Sequence, residues 1–435
     1  MTRAAAHVYP AAAPAFEHEP FAERERPASE RLRLYVHIPF CNYQCNFCYY
    51  ATRVDDSREA QARYVAALER ELEWIEPESR LGQVFVGGGT PTAIPAELLD
   101  RVLGAVFDRV TRVGSDVHTV EASPESIGEA HVRVLRERGI GRISMGVQSL
   151  DDGVLGRVHR RHSLEQVLRA CDLVVQSGLI LNVDLMYGLP GQTEESLGSD
   201  LETVAARGAH AVTLYDLRVT RRTSLGRELR EDERLEDVGR LLRWRRFVVR
   251  RTLELGFTQT RWHTFKRLST IAARHERAPC FDDEVRGFQL GVGMSARSHL
   301  GHTIYRNHER LGEYVARVEN GTSPVEHVFR LDDEGRSTQF VARTLGDGKP
   351  LDPRAYQRAF GRSIEQVYGE ALARLRRGGL VSQTDGALVL TSIGRLVYDR
   401  VMLNFYPKAA LDWLWVHAQP GVGPRARGGE RRASA

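Results

Sequence analysis

Three cysteines lie close together in a chain that contains few of them. Cys41, Cys45 and Cys48 are three of only five cysteines in 435 residues, and they follow a C-x3-C-x2-C spacing. Three thiolates on a short loop can hold three irons of a [4Fe–4S] cluster, which leaves the fourth iron open to a small ligand. The alternative is a structural zinc ion, for which His37 is the candidate fourth ligand. The spacing favours the cluster because no second cysteine pair follows.

The remaining two cysteines lie far from this group. Cys171 shares an apolar helical stripe with Val167 and Val174, which predicts a place in the core. Cys280 follows Pro279 in a predicted loop, either as a thiol on the substrate side or as an ordinary half-buried residue. Because clustered thiols in a cysteine-poor chain are typical of metal sites in reducing compartments, we expect a cytoplasmic metalloprotein.

The cysteine loop needs a rigid frame, and strands alternate with helices from residue 32 to residue 255. Near-continuous apolar runs indicate parallel strands buried on both faces. Six such units are fewer than a complete eight-unit barrel has, so the expected fold class is α/β with a partial (β/α)6 barrel. Chemistry in such folds lies where strands end. The predicted strands are 32–38, 83–86, 118–122, 141–147, 179–188 and 211–217, and the predicted helices include 127–138, 163–177, 194–207 and 233–255.

Composition divides the chain into four segments. Residues 1–30 and 419–435 are rich in Ala, Pro, Gly and charged residues, and we expect both to be disordered. Residues 31–330 hold the partial barrel and an extension on the substrate side. Residues 331–418 change pattern to helix, hairpin and helix, with Asp385-Gly386 as the hairpin turn. This pattern predicts a small C-terminal winged-helix-like α+β module.

Charge and hydropathy argue against two classes of partner. The chain has 61 Lys and Arg against 57 Asp and Glu, and much of the net charge of +4 lies in the C-terminal tail. We therefore expect no nucleic-acid partner, although the C-terminal module keeps DNA binding open beside a solvated face or a substrate lid. No apolar run approaches the ~20 residues of a membrane span, and the N-terminus lacks a signal-peptide core, so we expect no membrane partner.

Several further motifs occur in order along the chain. Tyr35-Val-His-Ile-Pro-Phe-Cys41 leads into the cysteine loop, and Gly87-Gly-Gly-Thr-Pro91 ends the next predicted strand. With these motifs, residues 33–405 resemble the radical S-adenosylmethionine (SAM) superfamily, in the branch around oxygen-independent coproporphyrinogen III oxidase. The other matching motifs lie at 121–124 (EASP), 142–149 (RISMGVQS), 184–193 (DLMYGLPGQT), 290–296 (LGVGMSA) and 390–395 (LTSIGR).

The resemblance implies the cofactors. A [4Fe–4S] cluster on the three cysteines would bind SAM at its open iron, and a 5′-deoxyadenosyl radical would then take hydrogen from a small-molecule substrate. An external reductant such as flavodoxin or ferredoxin would supply the electron. The resemblance places these residues around SAM: Tyr35, Gly88, Gly89, Thr90, Glu121, Gln148, Arg160 and Asp184. Some relatives bind a second SAM molecule as well. In this chain, backbone contacts to it would come from Gly291, Gly293 and Ala296.

One departure narrows the expected reaction. Porphyrinogen oxidases usually carry a further cysteine two residues after the third, where this chain has Tyr50. Class C radical SAM methyltransferases and their cyclopropane-forming relatives share the scaffold, and we expect methyl or methylene transfer from a second SAM to an sp2 carbon of a specialised metabolite. The alternatives are oxidative decarboxylation or ring opening of a porphyrin, and a non-catalytic haem-binding chaperone. The residue that quenches the product radical stays open among Tyr187, Tyr215, His263 and Cys280.

Overall fold

A computed structural model of the protein describes eight stretches of the chain. They are residues 32–54, 57–75, 79–113, 117–219, 223–228, 238–268, 288–300 and 303–418. The two segments expected to be disordered, 1–30 and 419–435, lie outside the described residues, as does Cys280. The described residues form two compact units, one up to residue 332 and the other from residue 333 onwards.

The first unit alternates strands and helices. Its strands are β1 (Leu32–Ile38), β2 (Phe40–Cys41), β3 (Arg53–Val54), β4 (Ser79–Gly88), β5 (Val110–Arg112), β6 (Thr119–Ala122), β7 (Arg142–Gln148), β8 (Ile180–Tyr187), β9 (Ala211–Asp216), β10 (Thr258–Gln259), β11 (Thr264–Lys266), β12 (Phe288–Val292), β13 (Arg297–Leu300), β14 (Thr303–Asn307) and β15 (Val325–Arg330). Its helices are α1 (Arg58–Glu73), α2 (Ala96–Arg109), α3 (Glu129–Glu137), α4 (Asp152–Arg157), α5 (Leu164–Gln176), α6 (Glu194–Ala206), α7 (Ser224–Glu228), α8 (Val238–Glu254) and α9 (Leu311–Glu319).

Six parallel strands form the centre of the sheet. Their order is β1-β4-β6-β7-β8-β9, and each of them except β9 is followed by at least one of the helices α1 to α6. The pairing brings Glu121 beside Ser144, and Asp184 beside Thr213. Among the described strands the sheet stays open, because β10 and β15 lie at its two ends. The prediction of a partial barrel of six β/α units is confirmed.

The sheet extends further at both edges than the sequence analysis anticipated. Antiparallel β11 and β10 continue it beyond β9. At the other edge β12 pairs in parallel with β1, and β13, β14 and β15 follow as antiparallel strands. These strands have two to six residues, too few to show a clear alternation of apolar and polar side chains.

The core forms where the helices cover the sheet. Helix α1 begins at the N-cap Ser57, whose hydroxyl accepts a hydrogen bond from Ala60 N, and it buries its apolar stripe against the sheet. Helix α5 begins with a reciprocal capping box between Ser163 and Gln166. Cys171 lies fully buried on α5, which confirms its predicted place in the core.

In the described residues of the second unit, three α-helices precede a hairpin and three follow it. Its elements are α10 (Asp333–Thr344), α11 (Pro353–Phe360), α12 (Ile364–Arg377), β16 (Val381–Thr384), β17 (Ala387–Leu390), α13 (Ser392–Leu396), α14 (Tyr398–Met402) and α15 (Lys408–Ala418). The predicted hairpin turn is confirmed, since Asp385 and Gly386 both have positive φ. The single helix predicted after Thr391 is wrong, because the chain leaves helical geometry at Val397 between α13 and α14. Gly394 packs tightly against the Leu380 carbonyl and so fixes the direction of α13.

Among the described residues, no helix combines the length and apolar character that a membrane span requires.

Candidate active site at the carboxyl ends of the parallel strands

The cysteine loop leaves the carboxyl end of β1 and is tied to the structure on two sides. Arg53 N donates to Pro39 O at 2.8 Å, so β2 and β3 close the base of the loop. Asn46 donates from its side chain to Arg157 O at 3.1 Å and from its backbone to Val158 O at 3.3 Å. These contacts tie the loop to β3 and to the end of α4.

The thiols in this loop lie in a protected environment. Burial raises the pKa of Cys41 to about 12, while Thr90 Oγ1, 3.7 Å from its sulfur, partly offsets the rise. Burial also raises the pKa of Cys48. Iron binds the thiolate form, so loading of the site must release these protons. Within the described part of the chain, no three His, Cys, Asp or Glu side chains converge as ligands of a single metal ion. Cys45 and Cys48 both lie close enough to act on the Cys41 thiol, so the three sulfurs are grouped as they must be if each binds a different iron of one cluster.

His37 is occupied by other contacts and is not the fourth ligand of a zinc site. Its Nε2 lies 2.9 Å from Ala51 O, which can only accept, so Nε2 carries the proton. Its Nδ1 therefore accepts from the Tyr35 hydroxyl at 2.9 Å. Burial lowers the pKa of His37 to about 4, so the ring is neutral at pH 7. With both ring nitrogens engaged, the zinc alternative loses its proposed ligand, and the three cysteines fit a cluster with one open iron.

The glycine-rich turn after β4 lets the chain pass close to its own neighbours. A Cβ at Gly87 would lie 2.5 Å from Glu121 Oε2, and one at Gly88 would lie 2.5 Å from the His37 ring. Gly88 also has φ of 116°, which side chains rarely adopt. A Cβ at Gly89 would meet the carbonyls of Pro39 and Phe40. The glycines thus bring β4 against the base of the cysteine loop, and Thr90 follows beside Cys41.

Two carboxylates lie on the inner face of the strands. Glu121 accepts a hydrogen bond from Gly88 N at 3.0 Å, and burial, followed by repulsion from Asp184, raises its pKa to about 7. Asp184 accepts from Ser144 Oγ at 2.9 Å and from Asn182 Nδ2 at 2.7 Å. Burial raises the pKa of Asp184 to about 6. Two carboxylates with raised pKa values would each gain from a bound cation, such as an ammonium group.

Arg160 and Gln148 meet below the cysteine loop. Arg160 donates from Nη1 to Cys45 Sγ at 3.5 Å, and from Nη2 to Ser123 Oγ at 3.3 Å and to Gly146 O. Its Nε is buried without a hydrogen-bond partner among the described residues. Gln148 has a positive φ of 72° at a bulge in β7, and a Cβ on Gly146 would contact both side chains. In isolation the sequence around Arg160 indicates a solvated basic run, but here Arg160 bonds to Cys45 and to the ends of two strands.

The segment expected to contact a second SAM lies beside β1. Gly291 pairs with Tyr35 in the β1–β12 register. Gly291 N donates to Ser298 Oγ at 3.0 Å, and Gly293 N donates to Glu71 Oε2 at 2.7 Å. Ala296 is buried. The N–H groups of both glycines are therefore engaged within the protein. A Cβ at Gly291 would meet the Arg297 backbone, and one at Gly293 would meet Tyr64 Oη and His37 O, so both glycines let the chain pack closely here.

Comparison with known proteins places this site in a family. Residues 35–204 match the Radical SAM superfamily, and residues 348–397 match the HemN C-terminal domain. The oxygen-independent coproporphyrinogen III oxidase of Paracoccus denitrificans (strain Pd 1222) is 31% identical over 333 residues, which are 73% of this chain and 73% of that protein. This chain belongs to the coproporphyrinogen III oxidase branch of the radical SAM superfamily. As a radical SAM protein it uses a [4Fe–4S] cluster and SAM.

Two further comparisons agree with this placement. The heme chaperone HemW of Bacillus subtilis (strain 168) is 25% identical over 380 residues, covering 85% of this chain and 98% of that protein. The solved coproporphyrinogen III oxidase (HemN) of Escherichia coli, a radical SAM enzyme, has a TM-score of 0.76 at 24% identity, covering 86% of this chain and 90% of that one. This structure shares the fold. The predicted family is confirmed.

The structure describes three of the four residues predicted as candidates for quenching the product radical. Tyr187 is buried, with its ring 6.3 Å from that of Trp244. Tyr215 is exposed and stacks on His263. Cys280 lies outside the described residues. Tyr49 had no predicted role, although two adjacent tyrosines directly after Cys48 are a visible signal in the sequence.

Proposed function

We propose that this radical SAM protein transfers a methyl or methylene carbon to an unsaturated carbon of a small molecule. Overall, two SAM molecules and two electrons from a low-potential reductant would yield methionine, 5′-deoxyadenosine, S-adenosylhomocysteine and a substrate enlarged by one CH2 unit. One hydrogen of the second SAM's methyl group ends on 5′-deoxyadenosine. When bound, the cluster and SAM supply the radical that removes this hydrogen.

The observation that carries the proposal is the pairing of β12 with β1. A methyl donor must lie within reach of the SAM at the cluster, and the Gly291–Tyr35 register brings the second glycine segment beside the strand that leads into the cysteine loop. Tyr50 adds support, because a cysteine is usual at this position in the oxidases of the branch.

The residues of the chain have separate roles in this proposal. Cys41, Cys45 and Cys48 hold the cluster, and the Arg160 guanidinium lies against Cys45 as a fixed positive charge that can also meet the carboxylate of SAM. Glu121 lies where it can accept hydrogen bonds from the amino group of SAM. The buried surroundings of these groups exclude water, so their electrostatic interactions are strong.

Two other functions have support of their own. A relative that is 31% identical is an oxygen-independent coproporphyrinogen III oxidase, which favours oxidative decarboxylation of a porphyrinogen. A match over 85% of the chain to a heme chaperone favours haem binding without turnover. Both alternatives use the same barrel, so the site geometry described above is compatible with each of them.

One labelled cofactor separates the three functions without knowledge of the substrate. Protein reconstituted anaerobically is mixed with dithionite and SAM that carries a CD3 methyl group, and 5′-deoxyadenosine is analysed by mass spectrometry. Deuterium in 5′-deoxyadenosine is the expected result, since the methyl group of a second SAM would be the hydrogen donor. Unlabelled 5′-deoxyadenosine, with CO2 released from added coproporphyrinogen III, would establish the oxidase instead. Haem binding with no 5′-deoxyadenosine at all would establish the chaperone.

A further inference from the structure

Two stacked aromatic pairs border the site and are not among the residues assigned to SAM. The rings of Tyr49 and Tyr50 are stacked at 4.7 Å and 26°, directly after the last cluster ligand. The rings of Tyr215 and His263 are stacked at 5.2 Å and 28°. The exposed fractions of Tyr49, Tyr50 and Tyr215 are 55%, 58% and 45%. Large aromatic side chains grouped and exposed in this way mark a binding surface more often than a packing defect.

Tyr215 faces the inside of the barrel. Thr213, two residues earlier on β9, donates to Asn182 Oδ1 at 3.0 Å, and Asn182 in turn donates to Asp184. Because side chains two apart on a strand lie on the same face, Tyr215 lies on the face of Asp184, closer to the carboxyl end of the strands. The exposed surface of its ring is therefore part of the barrel mouth.

Tyr50 borders the same space. The pKa of its hydroxyl is raised well above the usual value, first by desolvation and then by its neighbours Tyr49, Tyr215 and Glu121. The next residue, Ala51, accepts a hydrogen bond from His37 Nε2 at 2.9 Å, which holds this segment beside the carboxyl end of β1. Tyr215 and Glu121 are close enough to act on this hydroxyl, so both aromatic pairs lie near the carboxylates of the site.

Each of the two tyrosines is backed by a second ring: Tyr49 stacks on Tyr50, and His263 stacks on Tyr215. His263 is neutral at pH 7, because burial lowers its pKa to about 4. Each pair presents an electron-rich tyrosine face backed by a second ring. Such faces bind flat conjugated rings by offset stacking, whereas a puckered or saturated ring contacts them poorly.

We propose that Tyr50 and Tyr215 recognise a planar conjugated ring in the substrate and hold it at the barrel mouth, near Glu121. This inference rests on the proposed function, since it names the class of acceptor for the transferred carbon: an sp2 carbon of a flat aromatic or conjugated ring. A coproporphyrinogen, whose four pyrroles are joined by saturated carbons, matches these surfaces less well.

The test uses two neutral probes that share one skeleton. 2-Naphthamide is planar, and decahydro-2-naphthamide is its saturated counterpart. Their Kd values are measured by calorimetry on the cluster-reconstituted, SAM-loaded protein. We expect 2-naphthamide to bind about 10-fold more tightly, and Tyr50→Leu or Tyr215→Leu to weaken its binding about 3- to 10-fold, with little change for the saturated probe. Tyr50→Phe and Tyr215→Phe keep the ring and should retain tight binding.

A matched control removes an exposed aromatic ring elsewhere. Trp74 caps the end of α1 and is 37% exposed, so Trp74→Leu should leave both Kd values unchanged. Cluster absorbance shows which variants are folded and loaded. If a leucine variant fails to load, the ratio of the two Kd values on the native protein still tests the preference for a planar ring.

The outcomes separate this inference from the proposed function. Equal affinity for the two probes, or leucine variants with native affinity, would overturn the aromatic recognition even if deuterium reaches 5′-deoxyadenosine. A planar preference that depends on both tyrosines, in a protein that transfers no deuterium, would uphold the recognition and reject the methyl transfer.

Discussion

Arg160 donates a hydrogen bond to Cys45 Sγ across 3.5 Å, although 115 positions separate the two residues in the chain. The same guanidinium also donates to Ser123 and Gly146, at the carboxyl ends of β6 and β7. One side chain therefore joins the cysteine loop to two strands of the barrel. Its positive charge lies against Cys45, and in the proposed site it would also meet the carboxylate of SAM.

Replacement of Arg160 by methionine should weaken SAM binding about 10- to 100-fold, because a charged hydrogen bond is lost while the side chain keeps its apolar stem. Calorimetric titration of the reconstituted protein with SAM measures this effect. Arg161→Met is the matched control, since Arg161 is exposed and also lies over the Tyr43 ring, with its guanidinium carbon 5.9 Å from the ring centre. Equal SAM affinity in the two variants would show that Arg160 does not contact SAM.

Each of Cys41→Ala, Cys45→Ala and Cys48→Ala should abolish the broad cluster absorbance and all formation of 5′-deoxyadenosine. Two thiolates leave a second iron without a protein ligand, and the cluster is then lost. Cys171→Ala removes a thiol from the core of α5 and should retain the cluster, at a cost of about 1 kcal/mol in unfolding free energy. Retained zinc with normal turnover in any of the three variants would refute the cluster.

Glu71→Ala should lower the free energy of unfolding by about 3 kcal/mol or more. Glu71 is 1% exposed and accepts hydrogen bonds from Gly293 N at 2.7 Å, Asn307 Nδ2 at 2.8 Å and Tyr314 Oη at 2.7 Å. Its loss leaves these buried donors unsatisfied.

Urea unfolding followed by circular dichroism provides the measurement for Glu71. Glu69→Ala is the matched control on the same helix, because Glu69 pairs with Arg101 at the surface and such a pair contributes at most about 1 kcal/mol. Similar losses in both variants would mean that the buried carboxylate does not hold the Gly291–Ala296 segment.

Asp200 should make stability depend on pH in a definite direction. It is 4% exposed and accepts from Ser149 Oγ at 2.8 Å, and burial raises its pKa from 3.8 to about 6. A carboxyl with a raised pKa in the folded state contributes stability that is complete below pH 3.8 and is lost as the pH rises through about 6. Between about pH 4.5 and 7.5 the native protein should therefore lose about 2 kcal/mol relative to Asp200→Asn.

Unfolding curves of native protein and Asp200→Asn at several pH values within that window test this sign. Asp172→Asn serves as the control, since Asp172 pairs with Arg207 on the exposed face of α5. If the curves of Asp200→Asn and native protein shift in parallel across the window, Asp200 does not titrate there.

Much of the central fold follows from short-range patterns in the sequence. The six parallel strands have near-continuous apolar runs, and the apolar stripes of α1, α2 and α5 recur with helical spacing, so neighbours within about ten residues are enough to predict them. The Asp385-Gly386 turn is equally local. The edge strands β10 to β15 were not predicted, because strands of two to six residues depend on the partner strand beside them.

The sequence by itself determined the class of chemistry, since the spacing of Cys41, Cys45 and Cys48 and the order of the motifs need no folded partner to be recognised. Only the tertiary structure decided how the ring nitrogens of His37 are used, where Arg160 donates, and which face of β9 carries Tyr215. These facts depend on contacts between residues from 14 to 115 positions apart. Hydrogen bonds and ring stacking act over a few ångströms, so their partners exist only once the sheet has brought distant strand ends together.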